Sequence, residues 1–129
     1  MDVKKLIEEA MKAKEKAYAE YSKFKVGAAL LTKSGKIFTG VNVENASYGL
    51  TVCAERVAVF KAVSEGEREF LAIAVVSDSQ EITPPCGACR QVLFEFSEDM
   101  DVIMANKDGK YEIMKLKDLM PKGFKLKGG

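Results

Sequence analysis

Apolar and charged residues interleave with a helical period at the start of the chain. Val3, Leu6, Ile7, Ala10, Met11 and Ala17 fall near helical spacing with charges between them, which predicts a core-packing helix over 2–18. The next stretch, 26–32, reads as a strand, Lys33-Ser34-Gly35-Lys36 as a hairpin turn and 37–43 as the returning strand. Val41 and Val43 alternate there with Asn42 and Glu44. Extended backbone would turn the valines to the core and the polar pair to the other face. Val57, Ala58, Phe60 and Ala62 suggest a helix over 53–65, stopped near Gly66. The continuous apolar run 71–76 has the character of a central strand covered on both faces. Pro84-Pro85 precedes a helical stretch over 86–96. A strand over 102–105, a turn over 106–110, a short strand over 111–114 and a helical turn over 116–120 complete the pattern.

This order implies an antiparallel pair joined to a βαβ unit. The expected fold class is α/β, a five-stranded mixed sheet with helices layered on both faces. No repeat, low-complexity stretch or linker interrupts the chain, and 129 residues suit one hydrophobic core, so residues 1–129 read as a single domain.

Composition narrows the function. With 47% hydrophobic and 30% charged residues the chain has the make-up of an ordinary soluble globular protein. No apolar run approaches the roughly 18–20 residues that span a bilayer, and Met1-Asp2-Val3-Lys4-Lys5 leads into an amphipathic pattern rather than a signal-peptide core. A cytoplasmic protein without a membrane partner is the expectation. A net charge of +1, with lysines interleaved among acids, lacks the basic stripe of a nucleic-acid binder. The local excess Lys122, Lys125 and Lys127 reads as a solvated tail.

Two counts decide more. Three cysteines, an odd number, make a disulfide framework improbable. The absence of histidine excludes Ser-His-Asp and Cys-His nucleophile pairs and any metal site built on imidazole.

All three cysteines belong to one pattern: Cys53-Ala54-Glu55, then Pro85-Cys86-Gly87-Ala88-Cys89. The C-x-x-C pair opens one predicted helix and Cys53 another. Helix N-termini offer unpaired N–H groups and positive partial charge, which favour the thiolate that a metal requires. Three protein ligands leave one position open for water, as in catalytic rather than structural zinc sites. One Zn²⁺ per chain on Cys53, Cys86 and Cys89 is the cofactor expected. A redox dithiol would need neither the third cysteine nor C-A-E, and a structural zinc knuckle would need a fourth ligand.

Three thiolates leave the zinc site with a net negative charge, which weakens the ion as a Lewis acid. Arg56 is the candidate that offsets it, since a guanidinium keeps its proton beside a metal and offers several donors to sulfur. Arg90 follows the second ligand pair directly; the sequence leaves open a role at the metal element or a place on a surface or interface. Glu55 lies two residues past Cys53, close enough to reach a metal-activated water without ligating the ion, and is the candidate proton carrier.

The spacing C-A-E, twenty-nine residues, then P-C-x-x-C resembles the zinc nucleoside and nucleobase deaminases. Residues 21–29 (YSKFKVGAA), 42–48 (NVENASY) and 86–91 (CGACRQ) look like the short, homotetrameric cytidine deaminases. The likeness runs over roughly residues 5–124. It implies a cytidine deaminase-like layered fold. The reaction it implies is hydrolytic deamination of cytidine and 2′-deoxycytidine, usually in pyrimidine salvage. It also makes Asn42-Val43-Glu44 the ribose-binding segment, Phe24 a ring against the substrate and the Ala54 N–H a donor to the base carbonyl. Tyr48 and Phe124 become parts of an intersubunit pocket. The homotetramer rests on this resemblance alone. Residues 49–52 match nothing in it that assigns them a task. Two other readings stand beside it. One is a deaminase of the same fold acting on a cytosine antibiotic such as blasticidin S. The other is a polynucleotide-binding or editing module, against which near-neutral charge and the lack of an added basic or aromatic-rich region argue.

Overall fold

Five strands form one mixed sheet in the order β2-β1-β3-β4-β5, in which β3 and β4 run parallel and all other neighbours antiparallel. The strands are β1 Val26–Thr32, β2 Ile37–Val41, β3 Phe70–Ser77, β4 Asp101–Ala105 and β5 Tyr111–Lys115. The helices are α1 Val3–Lys14, α2 Ala54–Ser64, α3 Gly87–Phe94 and the single turn α4 Leu116–Leu119. This computed structural model describes residues 1–126, so Lys127 of the expected tail lies outside the described residues. Lys125 is exposed yet anchored, pairing with Glu98 at 3.5 Å and lying 5.7 Å above the Phe94 ring.

The helices cover both faces, as the element order predicted. On one face α1 packs Leu6, Ile7 and Ala10 against Ala29, Ala74, Val76 and Ile103. On the other, α2 and α3 bring Ala58, Val59, Ala62 and Leu93 against Leu30, Ile73, Val102 and Met104. Of β3, the central strand, only Leu71 is exposed. Two glycines set how closely the helices lie. A β-carbon on Gly27 would stand 2.1 Å from the Ala10 carbonyl oxygen of α1, and one on Gly40 would stand 2.3 Å from the Ala54 oxygen of α2.

Two expectations need correction. Helix α1 stops at Lys14, not near 18, because Tyr18 leaves it to pair with the chain at 42–44: its N–H donates to the Asn42 carbonyl, and its own carbonyl accepts from Glu44 N–H. Strand β2 stops at Val41, and the facing of the next residues is the reverse of the alternation argument. Asn42 is buried and Val43 is 42% exposed. The reason is that Asn42 finds backbone partners inside: Nδ2 donates to the Phe24 carbonyl at 2.9 Å and Oδ1 accepts from the Val26 N–H at 2.9 Å. A buried amide so satisfied costs little, whereas Val43 leaves the sheet to bridge Tyr18 and Val52. The short 3-10 turn Tyr48–Leu50 had no signal in the hydrophobic pattern. Among the described residues no helix is long and apolar enough to cross a membrane.

Candidate metal centre and active site

Cys53 is the N-cap of α2, Cys86 the N-cap of α3, and Cys89 sits in the first turn of α3. Both helices pack on one sheet face, so their N-termini converge. The Cys53 and Cys86 sulfurs are 3.8 Å apart, those of Cys86 and Cys89 3.4 Å, and all three lie within 4.8 Å of one another. Tetrahedral zinc with Zn–S bonds of about 2.3 Å requires sulfurs about 3.8 Å apart, so the donor set fits the ion closely. Among the described residues no fourth cysteine or carboxylate joins the cluster.

Arg56 stands against this group. Its Nη2 is 3.5 Å from the Cys53 sulfur, and its Nε, buried, has no hydrogen-bond partner. A buried guanidinium N–H left without a partner is costly, and electron-rich thiolates are the acceptors beside it. The electrostatics agree. The Cys89 thiol, donating to Cys53, is the main cause that lowers the Cys53 thiol to about 5; burial opposes, and Arg56 assists. Cys89 is pushed far up by that same bond and by burial.

Glu55, 5% exposed, points from α2 into the same region. Burial is the main cause that raises its carboxyl above the ordinary range, and the charge of Cys53 adds to it. A carboxyl that keeps its proton closer to neutrality is suited to carrying protons.

Cys53, Cys86 and Glu55 share a cavity of about 240 Å³. Val26, Val75 and Pro84 form apolar walls; Asn42, Thr51, Ser77 and Thr83 add polar ones; Cys53, Ala54, Glu55 and Cys86 complete the lining. The Ala54 N–H belongs to the first turn of α2, where helix geometry supplies no partner. A second depression of about 260 Å³ adjoins at Thr51, lined also by Tyr21, Ser22, Glu44 and Tyr48. There Glu44 Oε1 accepts from the N–H groups of Tyr21 and Ser22, each at 3.0 Å, and Oε2 accepts from the Ser22 hydroxyl. The Ser22 hydroxyl is the main cause that holds the Glu44 carboxyl below its ordinary value.

The fold therefore brings together Cys53, Cys86, Cys89, Glu55, Ala54, Arg56 and Asn42, and sets Glu44 and Tyr48 in the adjoining lobe. Phe24, 37% exposed, lines neither lobe, although its backbone closes the Asn42 clamp. Val43 lines neither as well. Phe124 is 66% exposed, and its carbonyl accepts from Gln91 Nε2 at 2.9 Å. Sequence reasoning did not find Thr51, Ser22, Ser77 or Thr83, because a lone hydroxyl residue in a loop carries no periodic or motif signal. Arg90, left open above, is engaged internally: Nε donates to the Pro85 carbonyl at 2.7 Å and Nη1 to the Leu119 carbonyl at 2.8 Å.

Three thiolate donors at two helix N-termini, with a buried carboxyl beside them on a layered α/β sheet, define a zinc-binding centre of the hydrolytic kind. Residues 1–106 match the family described as the cytidine and deoxycytidylate deaminase zinc-binding region, and the chain belongs to that family. It is 53% identical over 125 residues to a cytidine deaminase of Halalkalibacterium halodurans, covering 96% of this chain and 95% of that one. A cytidine deaminase of Mycobacterium tuberculosis is 44% identical over 117 residues, covering 91% and 85%. The crystal structure of cytidine deaminase from Burkholderia pseudomallei superposes with a TM-score of 0.93 at 52% identity, covering 96% of this chain and all of that one.

Proposed function

We propose that this chain catalyses hydrolytic deamination of cytidine and 2′-deoxycytidine, giving uridine or 2′-deoxyuridine and ammonia. The observation that carries this reading is the three-sulfur cluster, with no fourth ligand among the described residues, whose Cys53 and Cys86 line one cavity with the buried Glu55 carboxyl. The relatives named above, called cytidine deaminases, support the substrate class. Zinc held by Cys53, Cys86 and Cys89 supplies the Lewis acidity that makes water nucleophilic near neutral pH.

Glu55 then does the proton work. It takes a proton from the attacking water and hands it to N3 as the oxygen bonds to C4, which becomes tetrahedral. It next takes the hydroxyl proton and hands it to the amino nitrogen. Ammonia leaves as the C4 carbonyl forms, and the N3 proton stays on the product. Burial holds the Glu55 carboxyl above the ordinary carboxylate range, which favours its proton-bearing form between the two transfers.

The remaining roles are positioning. The Ala54 N–H donates to the base carbonyl at the head of α2. Asn42 spends one donor and one acceptor on the loop and keeps one of each for a sugar hydroxyl; Glu44 keeps an acceptor position on Oε2. Val43 spaces the two between the lobes. For Phe24 the family likeness alone supports a ring against the substrate, since it lines neither lobe, and Arg56 offsets the charge of the thiolates. Holding the sugar fixes the base over the reacting groups and lowers the entropic part of the barrier. Exposed Tyr48 and Phe124 support a homotetramer in which they close a pocket between subunits. We take the 129 residues as one domain working in the cytoplasm in pyrimidine salvage, with no nucleic-acid or membrane partner; a net charge of +1 supports this.

The test follows ultraviolet absorbance of zinc-loaded protein with cytidine, blasticidin S and a cytosine oligonucleotide in parallel. Conversion of cytidine alone is the expected result. Cytidine left intact, with zinc bound, would contradict the proposal, and turnover of the antibiotic would redirect it.

A further inference from the structure

Thr51 is the residue where the two lobes meet, and it contributes wall to both. Its placement is fixed on either side. Its N–H donates to the Tyr48 carbonyl at 3.1 Å, and Val52 pairs with Val43 through two bonds of 3.0 Å. Its hydroxyl is half spent: Oγ1 accepts from the Asn45 N–H at 3.2 Å, and among the described residues no acceptor takes the hydroxyl proton. A threonine hydroxyl has one donor and two acceptor positions, so a directed donor remains at the junction. Across the second lobe stands the carboxylate of Glu44, an acceptor with capacity left.

A group lying between a donor and a carboxylate must accept from one and donate to the other. A sugar hydroxyl does both; a base carbonyl or an amino group in this place does not. The apolar lobe beside Glu55 suits the flat pyrimidine, and the Glu44 lobe suits the sugar. Thr51 then lies where the sugar begins. We propose that Thr51 is a further substrate-binding residue, whose hydroxyl donates a hydrogen bond to the same sugar hydroxyl that donates to Glu44. The proposal rests on the nucleoside reading above.

The experiment uses the zinc-loaded full chain and four substrates: cytidine and its 2′-deoxy, 3′-deoxy and 5′-deoxy forms. Thr51→Val keeps shape and removes the donor. For cytidine it raises KM about three- to tenfold, the range for one neutral hydrogen bond, with kcat within about twofold. Thr51→Ser retains the wild-type KM. The decisive readout is the pattern across analogues. The Thr51→Val penalty disappears for the one analogue that lacks the partner hydroxyl and persists for the other two. Valine also removes the acceptor for Asn45, and loosening of that loop would weaken every substrate alike. An equal penalty on all four substrates, or no penalty on cytidine, overturns the proposal. Failure of the parent protein to deaminate cytidine overturns the nucleoside reading itself, before any variant is compared.

Discussion

Gly40 gives the most quantitative link between packing and chemistry. A methyl group at this position would start 2.3 Å from the Ala54 carbonyl oxygen and 2.5 Å from the Ala58 nitrogen, both backbone atoms of α2. Ordinary contact begins at 3.4 Å, so Gly40→Ala requires α2 to retreat from β2 by roughly 1 Å. Overpacking of this kind costs about 1–3 kcal/mol, a fall in Tm of several degrees. The retreating end of α2 carries Cys53, Ala54 and Glu55. A displacement of that size at reacting groups can cost on the order of 100-fold in rate. Gly27→Ala is the matched control. Its methyl would meet the Ala10 oxygen at 2.1 Å and push α1, on the opposite face from the sulfur cluster. Both zinc-loaded variants are compared by thermal unfolding and by kcat on cytidine. Both lose stability, but Gly40→Ala loses at least tenfold more kcat than Gly27→Ala. Equal kcat in the two, or a Gly40→Ala protein with wild-type Tm and kcat, refutes the reasoning.

Two other perturbations test separate parts of the account. Arg90 bonds the carbonyl of Pro85, just before Cys86, and that of Leu119 at the end of α4. Arg90→Ala leaves both carbonyls without that donor and loosens the Cys86 end of the cluster. Zinc transfer to a chelating dye is expected to speed up several-fold, and an unchanged release rate would reject the assignment. Asp78 supplies a pH test. Burial works against its charge, but the Lys14 ammonium at 2.9 Å and the Lys25 N–H at 2.9 Å outweigh it and hold the carboxyl below its ordinary value. The folded pKa is depressed, so this stabilisation is complete above the unfolded value of about 4 and is lost as pH falls through the folded one. Urea unfolding of Asp78→Asn beside the parent should show a stability gap at pH 7 that narrows below about pH 4. Zinc loss in acid is common to both proteins and drops out of the difference; a gap that stays constant would exclude the ion pair as its source.

The metal centre was legible because its signal is local. Ligand spacing is written along the chain, and a cysteine at a helix start leaves few alternatives for where its sulfur points. The sheet was legible for a similar reason: β3 is an uninterrupted apolar run, and the Lys33–Lys36 turn declares the β1–β2 hairpin. What escaped depends on chain segments distant in sequence. The facing of Asn42 and Val43 was misjudged because strand alternation assumes a continuing ladder. The backbone at Phe24 and Val26 instead takes the Asn42 amide and ends the ladder at Val41. Tyr18 was assigned to a helix for want of any local sign that residues 42–44 would capture it. Arg90 stayed open because one of its partners, the Leu119 carbonyl, lies 29 positions away and a carbonyl has no sequence signature. Thr51 is the limiting case: an ordinary side chain that acquires a role only where two cavities meet.

The central claim is that Glu55 carries the protons while the three cysteines hold the ion. It is tested most directly by measuring zinc content and cytidine turnover together in Glu55→Ala. The account predicts about one zinc per chain, since Glu55 is no ligand of the cluster, with turnover lost by several orders of magnitude. Wild-type turnover in a variant that still holds zinc would contradict the proton role. Loss of zinc along with turnover would contradict the separation of roles on which the mechanism depends.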